Sequence, residues 1–179
     1  MPGPGSTAAP PNTHVGIPHP PLPPGRTRRA HLGDLAAVND LHHRCSLATR
    51  FARYASARRE LKPSEWSRLV HPAAGATWLT TDHHDPDTVI AVTHLLKTRA
   101  PETYELALLI EDQWQGRGLG TWLTAQALRT AADEGCRTIT ATFGAGNDRA
   151  AAILRRLSIA VPAPELGLID VTLPLDSRS

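Results

Sequence analysis

Up to residue 25 the chain has no hydrophobic rhythm, with isolated apolar residues among proline, glycine, serine and threonine. From Arg26 the spacing becomes regular. Residues 27–31 alternate weakly and predict a short strand. Behind Asp34, placed to act as an N-cap, Leu35, Val38, Leu41 and His42 recur at helical spacing and predict an amphipathic helix. Ser46 is a second cap signal, for a helix running through Tyr54 with Leu47, Phe51 and Tyr54 near one face. Pro63-Ser64-Glu65 then opens a short third helix carrying Trp66 and Leu69.

After Gly75 the pattern turns to extended segments at residues 76–81, 89–97 and 104–110, separated by polar turns at 82–87 and 99–102. That arrangement predicts an antiparallel meander. A glycine-rich run leads into a helix over residues 118–134, with Leu119, Trp122, Leu123, Ala127 and Ala131 in one stripe and Gly135 as its stop. A strand at 138–143 follows. Asn147 or Asp148 caps a last helix through Leu157, and residues 159–162 with 168–173 predict a closing strand pair. The sum is an α+β domain with one central sheet and a strand-helix-strand unit in its middle.

Length and composition add limits. A chain of 179 residues accommodates one domain and a tail. The tail, residues 1–25, holds nine of the sixteen prolines and no acidic residue, so it is expected to be disordered, with the domain at 26–176. Pro18-His19-Pro20-Pro21 suits a polyproline-binding partner, but an inert tail, or a start codon assigned upstream of the true one, is the preferred reading. A net charge of +2 from interspersed acids and bases lacks the dense field of a sequence-independent nucleic-acid binder. Only Arg26, Arg28 and Arg29 form a short basic cluster. No long apolar run or signal-type core occurs, so a cytoplasmic protein without membrane association is expected.

Cys45 and Cys136 stand far apart and read as small buried residues, not as a disulfide or zinc site. No metal is expected at His42-His43, because neighbouring helical side chains diverge, nor at His83-His84 with Asp85 and Asp87, in a hairpin turn. Glu111 and Asp112 read as solvated turn residues, Trp114 as packing, and Arg155 and Arg156 as a solvated helix face. His94, mid-strand, reads as a core or surface residue, with an alternative role as a base.

The sharpest chemistry lies in Gln115-Gly116-Arg117-Gly118-Leu119-Gly120-Thr121. Glycines between a strand and a helix let an anion approach unpaired backbone N–H groups at the helix N-terminus. The run lacks the Gly-Lys-Ser/Thr ending of a Walker loop and the third-glycine register of a dinucleotide fingerprint. Both nucleotide loops are therefore disfavoured, and an anion at the helix N-terminus is what the run itself suggests. The same residues resemble the Gln/Arg-x-x-Gly-x-Gly/Ala signature of the GNAT superfamily of N-acyltransferases. The longer stretch from Glu105 to Gly120, with its Trp-Gln-Gly-Arg-Gly-Leu-Gly core, is similar to the acetyltransferase domain of bacterial Pat-type protein lysine acetyltransferases. Cys45-Ser46-Leu47-Ala48-Thr49-Arg50-Phe51 is similar to an early helix of that group.

The resemblance implies a GNAT fold: a mixed, mostly antiparallel sheet of about six to seven strands flanked by helices, with acyl-CoA in a splay between two central strands. It implies acetyl-CoA as co-substrate, without a metal, and an amine acceptor that is a protein lysine or a small molecule. Gln115, Gly116, Arg117, Gly118, Leu119, Gly120 and Thr121 are implied to hold the pyrophosphate. Leu108 and Ile110 would align the pantetheine, Asn147 would lie near it, and the Ile110 N–H would face the carbonyl oxygen. Glu105, ten residues before Gln115, takes the place of the general base. Homodimerisation is left open. The tyrosine that many members carry seven residues after the asparagine is here Leu154, so CoA would leave as a thiolate or take its proton from water. That departure raises the alternative of a non-catalytic acyl-CoA sensor. Ser158-Ile159 replaces the usual Gly-Phe, and a trimmed last hairpin is expected.

Overall fold

The structure is a computed structural model that describes residues 25–175. Residues 1–24, and with them the expectation of a disordered tail, lie outside the described residues. The strands are β1 (Gly25–Arg29), β2 (Gly75–Asp82), β3 (Val89–Lys97), β4 (Thr103–Ile110), β5 (Thr138–Gly144) and β6 (Leu168–Pro174), and the helices are α1 (Leu35–Arg44), α2 (Leu47–Tyr54), α3 (Pro63–Leu69), α4 (Leu119–Asp133) and α5 (Asp148–Arg156).

All strands lie side by side in chain order in one six-stranded sheet. β2 to β4 form the expected antiparallel meander, β1 joins it antiparallel to β2, and β5 pairs antiparallel with β6. Only β4 and β5 are parallel, and α4 supplies the crossover that parallel neighbours require. Helices cover both faces. β3 is buried from Val89 to Leu95, an apolar run broken only by Thr93 and His94. On one face Val92 and Leu109 pack with Val38, Leu41 and Trp66 beneath α1 and α3. On the other, Leu95 and Leu106 pack with Ala125, Leu128 and Leu154 from α4 and α5.

Several local expectations need correction. Asp34 does not cap α1 with its side chain; it accepts from the His31 N–H at 2.8 Å and pairs with Arg28 at 2.7 Å. Burial raises its carboxyl pKa, but those donors outweigh burial and hold it below the usual carboxylate range. Ser46 does cap α2, accepting from Thr49 N–H. However, α2 buries Thr49 and Arg50 while Leu47 and Phe51 are 56% and 58% exposed, the reverse of its apolar pattern. Residues 159–162 form no strand, since Pro162 and Pro164 remove two ladder donors. Cys45 and Cys136 are buried and free, as expected.

At the end of α5 the Ser158 N–H donates to Arg155 O and the Ile159 N–H to Leu154 O, a Schellman closure that holds Ser158 at φ 59°. A left-handed backbone disfavours any side chain with Cβ. Ser158→Gly is therefore expected to raise unfolding stability by about 1 kcal/mol, moving Tm up by roughly 2–4 °C. Thermal unfolding of the two proteins measures it.

Candidate active site

The centre of the sheet is parted. β4 and β5 pair only at Thr103–Thr138, Tyr104–Ile139 and Glu105–Thr140, after which β4 continues along β3 to Ile110 and β5 along β6 to Gly144. A gap therefore opens beyond Glu105. Glu111 N–H donates to Ile90 O of β3, and peptide groups alternate along a strand, so the N–H groups of Leu108 and Ile110 turn towards the gap. An extended chain with amide groups could complete that edge as an added strand.

Beyond Ile110, Asp112–Trp114 form a 3₁₀ turn and the glycine run leads into α4. Gly116 and Gly118 have φ of 73° and 87°, and the space where a Cβ would stand is open at both. These two glycines are required by backbone conformation. Gly120 has a different reason, because a Cβ there would stand 2.6 Å from Ile153 Cδ1 and 3.3 Å from Ile110 Cδ1. It lets the first turn of α4 approach α5 and β4. The first backbone bond into α4 runs from Trp122 N–H to Gly118 O at 3.0 Å, leaving the N–H groups of Leu119, Gly120 and Thr121 without helical acceptors. Thr121 Oγ1 is also buried without a partner. Unsatisfied donors around a left-handed turn at a helix N-terminus fit an anion such as pyrophosphate. Arg117 is exposed and its guanidinium stands 5.4 Å from the Trp114 ring centre.

Gln115 sits differently from a loop ligand. Its side-chain amide donates to Ile110 O at 2.6 Å and to Thr49 Oγ1 at 3.1 Å. Ile110 O has lost its neighbour across the gap, and Gln115 satisfies it. Two further residues depart from expectation. Glu111 is 5% exposed and pairs with Arg44 at 3.0 Å, and Asp112 accepts from Ser46 N–H and from the hydroxyls of Ser46 and Thr49 at 2.7–2.8 Å. Burial raises the Asp112 carboxyl, but these donors more than offset it and hold its pKa low. Both acids brace the α1–α2 corner against the turn; neither is a solvated turn residue.

Glu105, at the last rung between β4 and β5, is exposed. Asn147 accepts from Ala150 N–H at 3.1 Å and so caps α5. Leu154 is buried in the core below the sheet, where it offers no proton to a leaving thiolate. Arg28 is paired with Asp34, and Arg29 lies 4.9 Å from the Trp78 ring centre, so two members of the basic cluster are engaged within the fold.

A second cluster lies on the α2–α3 face, next to Glu105. Arg53, Tyr54, Arg58, Glu65, Arg68 and His94 line a cavity of about 270 Å³. Two histidines behind it have fixed tautomers. Thr77 Oγ1 donates to Leu69 O, so His94 Nδ1–H must donate to Thr77 Oγ1 at 2.9 Å, which leaves Nε2 as a lone-pair acceptor. His42 Nδ1–H donates to Val38 O, so its Nε2 accepts from the Tyr54 hydroxyl at 2.7 Å. Burial, assisted by the charge of Arg53, pushes the His94 pKa down to about 3. Sequence reasoning placed His94 in the core or at the surface but did not connect it with Arg53. The spacing of Arg50 and Arg53 on α2 was the available signal.

His94 makes stability pH-dependent. Between its ordinary value of 6.5 and about 3, the unfolded chain holds a proton that the native chain does not. Stability therefore falls as pH drops through that window, by at most about 1.4 kcal/mol per unit from this residue. Urea unfolding at about pH 7 and about pH 5 is expected to show a smaller difference for His94→Leu than for wild type.

A mixed sheet parted at its centre, beside a glycine turn that opens a helix, is the architecture of an acyl-CoA-dependent transferase. The family profile of the GNAT acetyltransferases matches residues 27–158, and the chain belongs to that family. No curated protein matches the sequence. Among solved structures, the chain is similar to the GNAT domain of S. lividans PAT, with a TM-score of 0.74 and 18% identity over 84% of this chain and 90% of that one. It is also similar to yncA, a putative acetyltransferase from Salmonella typhimurium solved with acetyl-CoA (TM-score 0.68, 18% identity, 87% and 96% covered). A third is spermidine N-acetyltransferase from Vibrio cholerae with CoA and spermine (TM-score 0.65, 14% identity, 84% and 95% covered). At such identities these likenesses establish the fold.

Proposed function

We propose that the protein transfers an acetyl group from acetyl-CoA to a primary amine. The observation that carries this reading is the loss of pairing between β4 and β5 after Glu105 and Thr140, directly upstream of the glycine turn. In this reading the N–H groups of the run from Gly116 to Thr121 hold the pyrophosphate. The peptide groups of Leu108 and Ile110 align the pantetheine, and Asn147 lies beside it while capping α5. Gln115 acts indirectly, by fixing the Ile110 carbonyl so that the Ile110 N–H stays turned to the gap.

Acetyl-CoA supplies a thioester as the activated acyl group. A protonated amine has no lone pair, so the acceptor must lose a proton before its nitrogen can form the C–N bond. Glu105, exposed at the mouth of the gap, takes that proton. The C–S bond breaks and the sulfur leaves as thiolate, since Leu154 is apolar and a thiol of pKa near about 8.5 is a tolerable leaving group. The buried, apolar Leu154 is also the one observation that favours the second reading, an acyl-CoA sensor without turnover.

Thiol release from acetyl-CoA, followed with and without a panel of primary amines, separates the two. Release that depends on the amine, with one acetylated product per thiol, is expected. Saturable acetyl-CoA binding with no amine-dependent release would leave only the sensor.

A further inference from the structure

We propose that the cavity between α2, α3 and β3 is the acceptor subsite and that it selects small amines carrying a carboxylate or similar anionic group. This rests on the transferase reading above and specifies its acceptor. The cavity is placed for it. His94 opposes Ala107 across β3 and β4, which makes it the diagonal neighbour of Glu105 on the same face of the sheet, a separation of about 7–8 Å that long side chains span. A molecule in the cavity is therefore within a few bonds of the proposed base.

The lining is bipolar. Arg53, Arg58 and Arg68 bring three guanidinium groups, against Glu65 as the only carboxylate in the lining, and Glu65 is already paired with Arg58 at 2.8 Å. Arg53 lies against the Tyr54 ring at 4.7 Å, its Nε is buried without a partner, and burial, offset only in part by Tyr54 and by the charge of Glu105, disfavours its charge. A desolvated guanidinium is costly unless an anion compensates it. A carboxylate, with its planar pair of oxygens, matches that fork.

The opposite requirement is set by His94. It is 1% exposed, lines the cavity, and its Nε2 has no partner. Because Thr77 fixes Nδ1 as the protonated nitrogen, Nε2 can only accept, and it repels a carboxylate while taking an N–H or O–H donor. One end of the ligand must therefore be anionic and another must donate. An amino acid meets both conditions. A cavity of about 270 Å³ is of a size to hold a small amino acid.

The test is a matched series of ω-amino acids of two to six carbons and their primary amides, assayed with full-length protein and acetyl-CoA. The carboxylate forms are expected to have KM at least about tenfold below the amides, the loss of one charge-assisted contact. Arg53→Gln is expected to abolish that preference, raising KM for the acids to that of the amides. Equal KM for acid and amide, or a lysine-bearing protein acetylated with lower KM than any free amino acid, would overturn the proposal while leaving the transferase reading intact. Should no amine turn over, calorimetric titration of the same acids and amides in the presence of CoA decides it independently. Saturable binding of acids alone supports the subsite, and no binding or equal binding removes it. This wild-type comparison does not depend on whether Arg53→Gln folds.

Discussion

Glu105→Gln is expected to lower kcat/KM for the amine by about 10²–10⁴-fold, the usual contribution of a positioned general base. The substitution keeps the size of the side chain and removes its negative charge and its ability to take a proton. Glu105 is exposed and makes no ion pair or side-chain hydrogen bond among the described residues, only a longer-range attraction to Arg53, so folding and acetyl-CoA affinity are expected to change little. Steady-state kinetics combined with an acetyl-CoA titration measures both. Activity equal to wild type would remove Glu105 from the chemistry and make another group near the gap the proton acceptor.

Gly118→Val is expected to weaken acetyl-CoA binding by about 10- to 100-fold. Gly118 has φ of 87° with no atom where a Cβ would stand, so the obstacle is conformational and not steric crowding. A left-handed backbone costs a residue with Cβ roughly 1–2 kcal/mol, and more when it is β-branched. The turn escapes that strain by moving to another conformation, which lowers the population able to present its N–H groups to one anion. Gly135→Val is the matching control. It introduces a side chain at φ of 76° at the other end of α4, also into open space, and should cost similar stability without affecting acetyl-CoA affinity. Equal affinity loss in both variants would mean that the effect is global destabilisation of α4.

The elements were legible in the sequence wherever burial followed hydrophobicity. The extended segments of β2 to β4, the stripe on α4 and the cap at Asn147 all served the core or a helix end, and each formed where its pattern pointed. α2 is the instructive exception. Its apolar residues suggested a face built on Leu47 and Phe51, yet the helix turns Thr49 and Arg50 inward because Asp112, Gln115 and the carbonyls of His42 and Cys45 wait there for polar partners. Hydrophobic periodicity cannot register a helix whose inner face is satisfied by hydrogen bonds.

Glu111 and Asp112 escaped for the same reason. Acidic residues in a turn are usually solvated, and their partners Arg44, Ser46 and Thr49 lie more than sixty residues earlier in the chain. The glycine run was readable because conformation and anion binding both demand glycine at fixed positions. The parting of β4 from β5 was not, since it depends on where two non-local strands stop pairing. The cationic cavity was equally hidden, being assembled from α2, α3 and β3.

The most direct measurement of the central claim is a crystal structure of the protein with acetyl-CoA. The account predicts pyrophosphate oxygens within hydrogen-bonding distance of the N–H groups of the run from Gly116 to Thr121. It also predicts pantetheine amides paired with Leu108 and Ile110, and the thioester carbonyl on the Glu105 side of the gap. Pyrophosphate bound elsewhere, or β4 and β5 closed against each other with the pantetheine outside, would contradict it.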